Sequence, residues 1–303
     1  MSAEELQNMS SVKAWLLAAR PKTLPAAAAP VVVASALAYL DGRFDVFPAL
    51  AALLGALLLQ VGSNVANDLY DFERGSDAGE RLGPVRVTQA GLIPVEQVRR
   101  GMYLIFGLAA LIGLYLVFHA GWVVVAIGLA AIFAAIAYTG GPFPYGYHGL
   151  GDVFVFIFFG LAATVGTYYV QAHTTSALAW WLAIVMGLLI VGILVVNNIR
   201  DIESDRQANK RTLAVIFGLK FAQREYTVCI IGAYLIPVVI WSLGLMPVTG
   251  FLVLLSTPMA VRLVQTIYTE QGRALNEALA GTGRLTLIYA VLFSVGILLQ
   301  ALV

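Results

Sequence analysis

The sequence predicts an all-α membrane protein: nine transmembrane helices in a bundle around a central cavity, with the N-terminus cytoplasmic. Three observations predict it. The 303 residues are 60% hydrophobic and only 12% charged, whereas soluble domains carry about 25% charged residues. No Asp, Glu, Lys or Arg occurs between Arg100 and Asp152, between Asp152 and Arg200, between Glu225 and Arg262, or after Arg284. Of the 18 Lys and Arg residues, all but Arg43 fall on one side of a nine-span topology.

The elements follow in chain order. Residues 1–11 are polar, and the short apolar run 12–19 is expected to lie at the membrane interface. The first span covers 23–40. Pro21, Pro25 and Pro30 break its entry and could present Lys22 to the cavity. The second span covers 46–67. The uncharged runs exceed the roughly 20 residues one spanning helix needs, so each holds two helices. His119-Ala120-Gly121 separates the third and fourth spans, residues 171–176 the fifth and sixth, and residues 244–247 the seventh and eighth. Residues 285–303 form the ninth. The runs do not alternate, which excludes a spanning β-barrel. The N-terminus has no signal-peptide pattern. Cys229 is the sole cysteine, so no disulfide framework or thiolate metal site is expected. Basic loops stay cytoplasmic, which fixes the orientation, and an even span count would scramble the partition. The chain reads as one domain, 1–303, and no nucleic-acid partner is expected.

Two helix ends concentrate polar residues. At the end of the second span Asn64, Asn67, Asp68 and Asp71 are spaced i, i+3, i+4, i+7, one stripe of a helix. At the end of the sixth, Asn197, Asp201 and Asp205 are spaced i, i+4, i+8, again one face. Asn67-Asp68-x-x-Asp71 superposes on Asn197-Asn198-x-x-Asp201, with Gly75 opposite Asp205. The segments near 64–77 and 197–211 therefore read as an internal duplication, two like helices facing across a pseudo-symmetric cavity. Several acids on one helical face at a membrane edge are costly without a partner. An oxygen-only donor set points to a hard divalent cation, Mg²⁺, shared with substrate phosphate oxygens. Lys22, Arg86, Lys210 and Arg211 would then clamp phosphate and stabilise diphosphate as it leaves. A single Asp of this kind would more simply be a solvated helix end paired with Arg. A transporter is the rival for the pair, but the acids sit at helix ends and the repeats run parallel.

These two motifs resemble the signatures of the UbiA superfamily of intramembrane prenyltransferases, and the resemblance covers essentially the whole chain. Arg20-Pro-Lys-Thr-Leu-Pro25, Gly83-Pro-Val-Arg86-Val-Thr-Gln89-Ala-Gly91, and Asn197-Asn-Ile-Arg200-Asp201-x-x-x-Asp205 leading to Lys210-x-Thr212-Leu213 are similar to the branch that prenylates 1,4-dihydroxy-2-naphthoate. There are two departures. The superfamily pattern has an acid where this chain has Gly75, with Asp77 two residues beyond. Asn209 stands where Gly often precedes the Lys, and Asn tolerates φ > 0. The resemblance implies an enzyme of the bacterial inner membrane with its site on the cytoplasmic side. It implies Mg²⁺ held by Asn67, Asp68, Asp71, Asp201 and Asp205, with Asp71, Asp201, Lys22 and Lys210 as catalytic residues. Asn64, Arg86, Asn197, Arg200 and Arg211 would bind substrate. The implied reaction transfers a polyprenyl chain from its diphosphate through a carbocation-like centre to the naphthoate ring, with loss of CO₂. Another superfamily acceptor, such as 4-hydroxybenzoate or a haem, is the alternative. A cavity open sideways to lipid would accommodate the tail. Oligomeric state is left open.

Residues 138–152 form a loop without Lys or Arg, rich in Gly, Pro and Tyr. It is either a shaped wall in which Tyr138 and its neighbours meet an aromatic substrate, or an interfacial aromatic belt. Asp152 is expected to be functional or paired.

Overall fold

The computed structural model describes residues 9–75 and 82–302; Asp77 lies outside them. Every regular element among the described residues is helical. Eight helices are long and apolar enough to cross a membrane. The shorter apolar helix α5, Val123–Ala137, has 15 residues, about 22 Å at 1.5 Å per residue. It ends early because Gly140, Gly141, Pro142 and Pro144 turn the chain into the following loop.

Helix α1 (Ser11–Ala19) is joined by a 3₁₀ turn (Pro21–Thr23) to α2 (Leu24–Leu40), which carries Pro30 internally. Arg20 terminates α1 in the left-handed region, φ 50°. The break thus falls at Arg20 and Pro21, whereas Pro25 sits in the first turn of α2 and Pro30 is accommodated within the continuous helix. Helix α3 (Val46–Glu73) runs six residues past the expected end, Asn67, so the stripe from Asn64 to Asp71 is entirely helical. Helices α4 (Val95–Ala120), α5 and α6 (Gly151–Ala172) follow. Within α6, Phe156–Ala162 is π-helical, a widening often found beside functional sites. Helix α7 (Ala177–Arg200) stops at Asp201, and a short α8 (Ile202–Gln207) restarts. The expected single face through Asn197, Asp201 and Asp205 is therefore interrupted at its middle residue. Helices α9 (Leu213–Phe217), α10 (Leu219–Ser242), α11 (Val248–Thr269, opening as a 3₁₀ helix) and α12 (Leu275–Leu298) complete the chain.

The buried apolar residues divide into two main bodies. One gathers α2, α7, α10, α11 and α12, with part of α6, around Leu182, Met186, Tyr226, Tyr289 and Phe293. The other gathers α1, α3 and α4 around Val65, Leu69, Met102 and Phe106. Interlocking of the second body depends on close approach. A Cβ at Gly101 of α4 would fall 2.2 Å from the Trp15 ring of α1. Gly101→Ala is therefore expected to wedge α1 off α4 and destabilise by about 1–3 kcal/mol, the usual cost of overpacking. Thermal unfolding in detergent would measure this, and an unchanged transition would refute the wedge.

Candidate active site

One cavity of about 1180 Å³ lies between the two bodies. From Asp71 to Ala52, both on its wall and 19 residues apart on α3, it extends about 28 Å along the helix. Its deep part is an apolar shaft kept wide by small residues, among them Gly55, Ala56, Gly113, Gly128, Ala163 and Gly166. Leu114, Val125 and Leu129 line the cavity and are also exposed on the outer surface of the bundle.

The polar end is assembled from four segments. Lys22 of the 3₁₀ turn, Asn64, Asn67 and Asp71 of α3, Arg86 of the loop after α3, and Asn197, Arg200, Asp201, Asp205 and Lys210 of the α7–α9 region all line the cavity. So does Tyr138. The two motifs, 130 residues apart in sequence, thus meet at one end of one cavity.

Hydrogen bonds explain how the chain holds them there. Asn64 donates to Ala19 O (2.9 Å) and Thr23 Oγ1 (3.0 Å), and Gln60 donates to Asn64 Oδ1 (3.2 Å) and Thr23 Oγ1 (3.1 Å). Asn64 therefore anchors the turn that carries Lys22, and its amide is already engaged by protein. Asp71 is clamped between Tyr147, whose hydroxyl donates at 2.6 Å, and the guanidinium of Arg86, which also donates to Asn67 O. The side chains of Arg86 and Asp71 are both buried. Asn67 Oδ1 accepts from Thr139 (3.0 Å). Across the cavity Arg200 grips Asp201 through Nε (2.8 Å) and Nη2 (2.5 Å), and donates to Asn197 (2.7 Å) and Asn276 (2.8 Å). Its side chain is almost wholly buried. Arg200 lines the cavity, where a substrate contact was expected of it, and its donors also organise Asp201 and two asparagines. Lys210 lies 3.7 Å from Asp205 and over the Tyr147 ring, 5.5 Å from its centroid. Burial alone would lower the Lys210 pKa, but the carboxylates of Asp205 and Asp71 outweigh it and hold the ammonium above its usual value. Asn209 adopts φ 56° in the turn before it, the conformation Asn was expected to tolerate.

Two expected site residues fall elsewhere. Asp68 is 1% exposed and off the cavity wall. Its Oδ2 and Oδ1 accept the backbone N–H of Val87 and Thr88, both at 3.0 Å. The helix turns it a full 100° from Asn67, toward the loop instead of the cavity. Its expected role as a metal ligand is corrected to that of anchor for the Arg86 loop. Arg211 is exposed and absent from the cavity wall, its backbone N–H bonded to Tyr147 O (3.0 Å). Its expected phosphate contact is likewise corrected.

The sequence reading left Arg20, Gln60 and Asn276 without roles. Arg20 lines the cavity from its left-handed turn, and its place beside Lys22 in the 20–25 stretch was the available signal. Asn276 had none, because its partner Arg200 is 76 residues away. The loop from Tyr138 to Asp152 is a wall of the pocket: Tyr138 lines it, and Tyr145 and Tyr147 line it while buried.

The donor set of this end is oxygen only; no His or Cys lines the cavity among the described residues. No three His, Cys, Asp or Glu side chains among them converge closely enough to hold an ion by themselves. Carboxylates spread across a cavity, with cationic side chains interleaved, suit a hard cation completed by ligand oxygens.

A family model for the UbiA prenyltransferase family matches residues 27–288. The chain belongs to the UbiA prenyltransferase family. It is 40% identical over 304 aligned residues to the 1,4-dihydroxy-2-naphthoate octaprenyltransferase of Escherichia coli K12, covering 97% of this chain and 98% of the relative. Solved UbiA structures share the fold. A homolog from Aeropyrum pernix K1 superposes with a TM-score of 0.68 at 15% identity, over 91% of this chain and 98% of that one. A homolog from Archaeoglobus fulgidus, bound to GPP and Mg²⁺, superposes with a TM-score of 0.66 at 14% identity, over 94% and 99%.

Proposed function

We propose that this UbiA-family chain transfers a polyprenyl group from its diphosphate to 1,4-dihydroxy-2-naphthoate, releasing diphosphate and CO₂. The observation that carries the reading is a single cavity with two acid-bearing helix ends at its polar end and an apolar shaft behind them. The name of the E. coli relative supports the acceptor, and the GPP and Mg²⁺ of the A. fulgidus homolog support the donor and the metal.

In this reading the diphosphate sits at the polar end and the isoprenoid fills the shaft. Asn67, Asp71, Asp201 and Asp205 would hold magnesium, which when bound neutralises charge on the leaving group. Lys22, Arg86 and Lys210 bind the diphosphate oxygens and stabilise the negative charge that grows on them as the allylic C–O bond breaks. Tyr147 fixes the Asp71 carboxylate. The cationic allyl centre is held against the acceptor ring, whose carbon attacks it; C–C bond formation and loss of the ring carboxylate as CO₂ leave the prenylated ring. Positioning and electrostatics supply most of the acceleration.

The same reading takes the chain as nine spans, with α5 accommodated by local bilayer thinning. It places the basic loops and the site on the cytoplasmic face of a bacterial inner membrane, and treats the chain as one domain built from a duplicated helical unit. Leu114, Val125 and Leu129 would border a lateral opening through which the far end of a long tail meets lipid.

The test is acceptor specificity. Purified protein with a radiolabelled polyprenyl diphosphate is expected to prenylate 1,4-dihydroxy-2-naphthoate, with CO₂ and diphosphate released in equal amounts. Product with 4-hydroxybenzoate in its place, without CO₂, would assign a different acceptor.

A further inference from the structure

Tyr138 stands where the cavity passes from its polar end to its shaft. Asp205 and Asp71 act on it electrostatically from the polar side, and Ala134 and Ala135 line the wall one turn back. The phenol is held on several sides. The backbone carbonyl of Tyr138 accepts the Gly146 N–H (2.9 Å), and its ring meets Tyr145 edge-on, centroids 5.3 Å apart. A Cβ at Gly146 would fall 3.0 Å from that ring, and one at Gly151 would fall 3.5 Å from the ring and the hydroxyl oxygen. Tyr145 is itself fixed, donating to Ala134 O (2.8 Å) and stacked on Phe154 at 4.0 Å. The Tyr138 hydroxyl has no hydrogen-bond partner among the described residues. A rigid phenol on a cavity wall with an unused hydroxyl is arranged for a ligand.

Asp152 supplies the second observation. It follows Gly151 directly, is 7% exposed, and its Oδ1 is buried without a hydrogen-bond partner. It lies within electrostatic reach of Tyr138, and no Lys or Arg pairs with it among the described residues. Such an oxygen is costly to leave unmatched. A hydrogen bond from the phenol would match it, and would at the same time turn the phenol's lone pairs toward the cavity.

We propose that Tyr138, oriented by Asp152, reads the aromatic acceptor by accepting a hydrogen bond from a ring hydroxyl, so that the hydroxylated, reduced ring is favoured over its quinone or O-methyl ether. The proposal rests on the prenyl-transfer reading above. Tyr138 touches the acceptor; Asp152 is a positioning residue that acts through it.

The experiment uses the full chain in lipid nanodiscs, with KM measured separately for the dihydroxynaphthoate and the polyprenyl diphosphate. The O-methyl ether serves as a competitive probe. Tyr138→Phe is expected to raise the KM of the hydroxylated acceptor tenfold or more, to keep that of the diphosphate within twofold, and to erase the preference for hydroxyl over ether. Asp152→Asn can donate to the phenol, so it should shift the preference toward the ether. The double variant should match Tyr138→Phe alone, because Asp152 acts only through the phenol. An unchanged acceptor KM in Tyr138→Phe, an equal rise for both substrates, or additive effects in the double variant would each overturn the proposal. If the wild-type chain prenylates a different hydroxylated ring, the naphthoate assignment fails and the same comparison decides the role of Tyr138 on that ring.

Discussion

Asp201→Asn is expected to lower turnover about a thousandfold, the scale of losing one electrostatic element of a charged transition state, while the protein stays folded. Asp71→Asn is expected to lose as much turnover and also to unfold more readily. The difference lies in the burial of the two carboxylates. Arg200 keeps Asn197 and Asn276 when its bonds to Asp201 weaken. Asp71 is the more deeply buried acid and also accepts the Tyr147 hydroxyl, so weakening its buried pair with Arg86 costs roughly 3 kcal/mol or more. Single-turnover product formation and thermal unfolding in the same detergent would measure both. Near-native turnover in either variant at ordinary Mg²⁺ would sink the site as drawn.

Much of this site was readable without coordinates, for a definite reason. Helical periodicity converts spacing into direction, so the i, i+3, i+7 positions Asn64, Asn67 and Asp71 had to share a face wherever the helix ended. The uncharged runs marked the long apolar helices for an equally simple reason, the thickness of the bilayer. Where the reading failed, local geometry broke the periodicity it assumed. Asp201 ends one helix and Asp205 belongs to the next, so their common wall comes from a turn. Asp68 sits between stripe residues in sequence, yet its angular offset is enough to send it to the loop. The Arg200–Asn276 and Tyr147–Asp71 bonds span 76 residues each, and no spacing rule reaches that far. The length of α5 was set by the glycines and prolines that follow it, residues read as part of a loop but not as the reason for a short helix.

The role of Asp68 separates a structural anchor from a metal ligand, and the two roles predict different failures. As an anchor, Asp68 satisfies two buried backbone N–H groups in the segment immediately after Arg86. Asp68→Ala leaves both without an acceptor, at about 2 kcal/mol each, so a loss of roughly 4 kcal/mol in stability is expected. Turnover should collapse with it, because the released loop carries Arg86 away from Asp71. The milder Asp68→Asn keeps one acceptor oxygen and should retain measurable activity with an unchanged Mg²⁺ requirement. A lost metal ligand would behave in the opposite way: the melting temperature would hold, and higher Mg²⁺ would restore turnover. Titrating Mg²⁺ against the activity of Asp68→Asn, alongside its thermal unfolding, therefore decides between them. A native melting temperature with a raised Mg²⁺ requirement would return Asp68 to the metal site, and the loop would then need another explanation for holding Arg86 over the cavity.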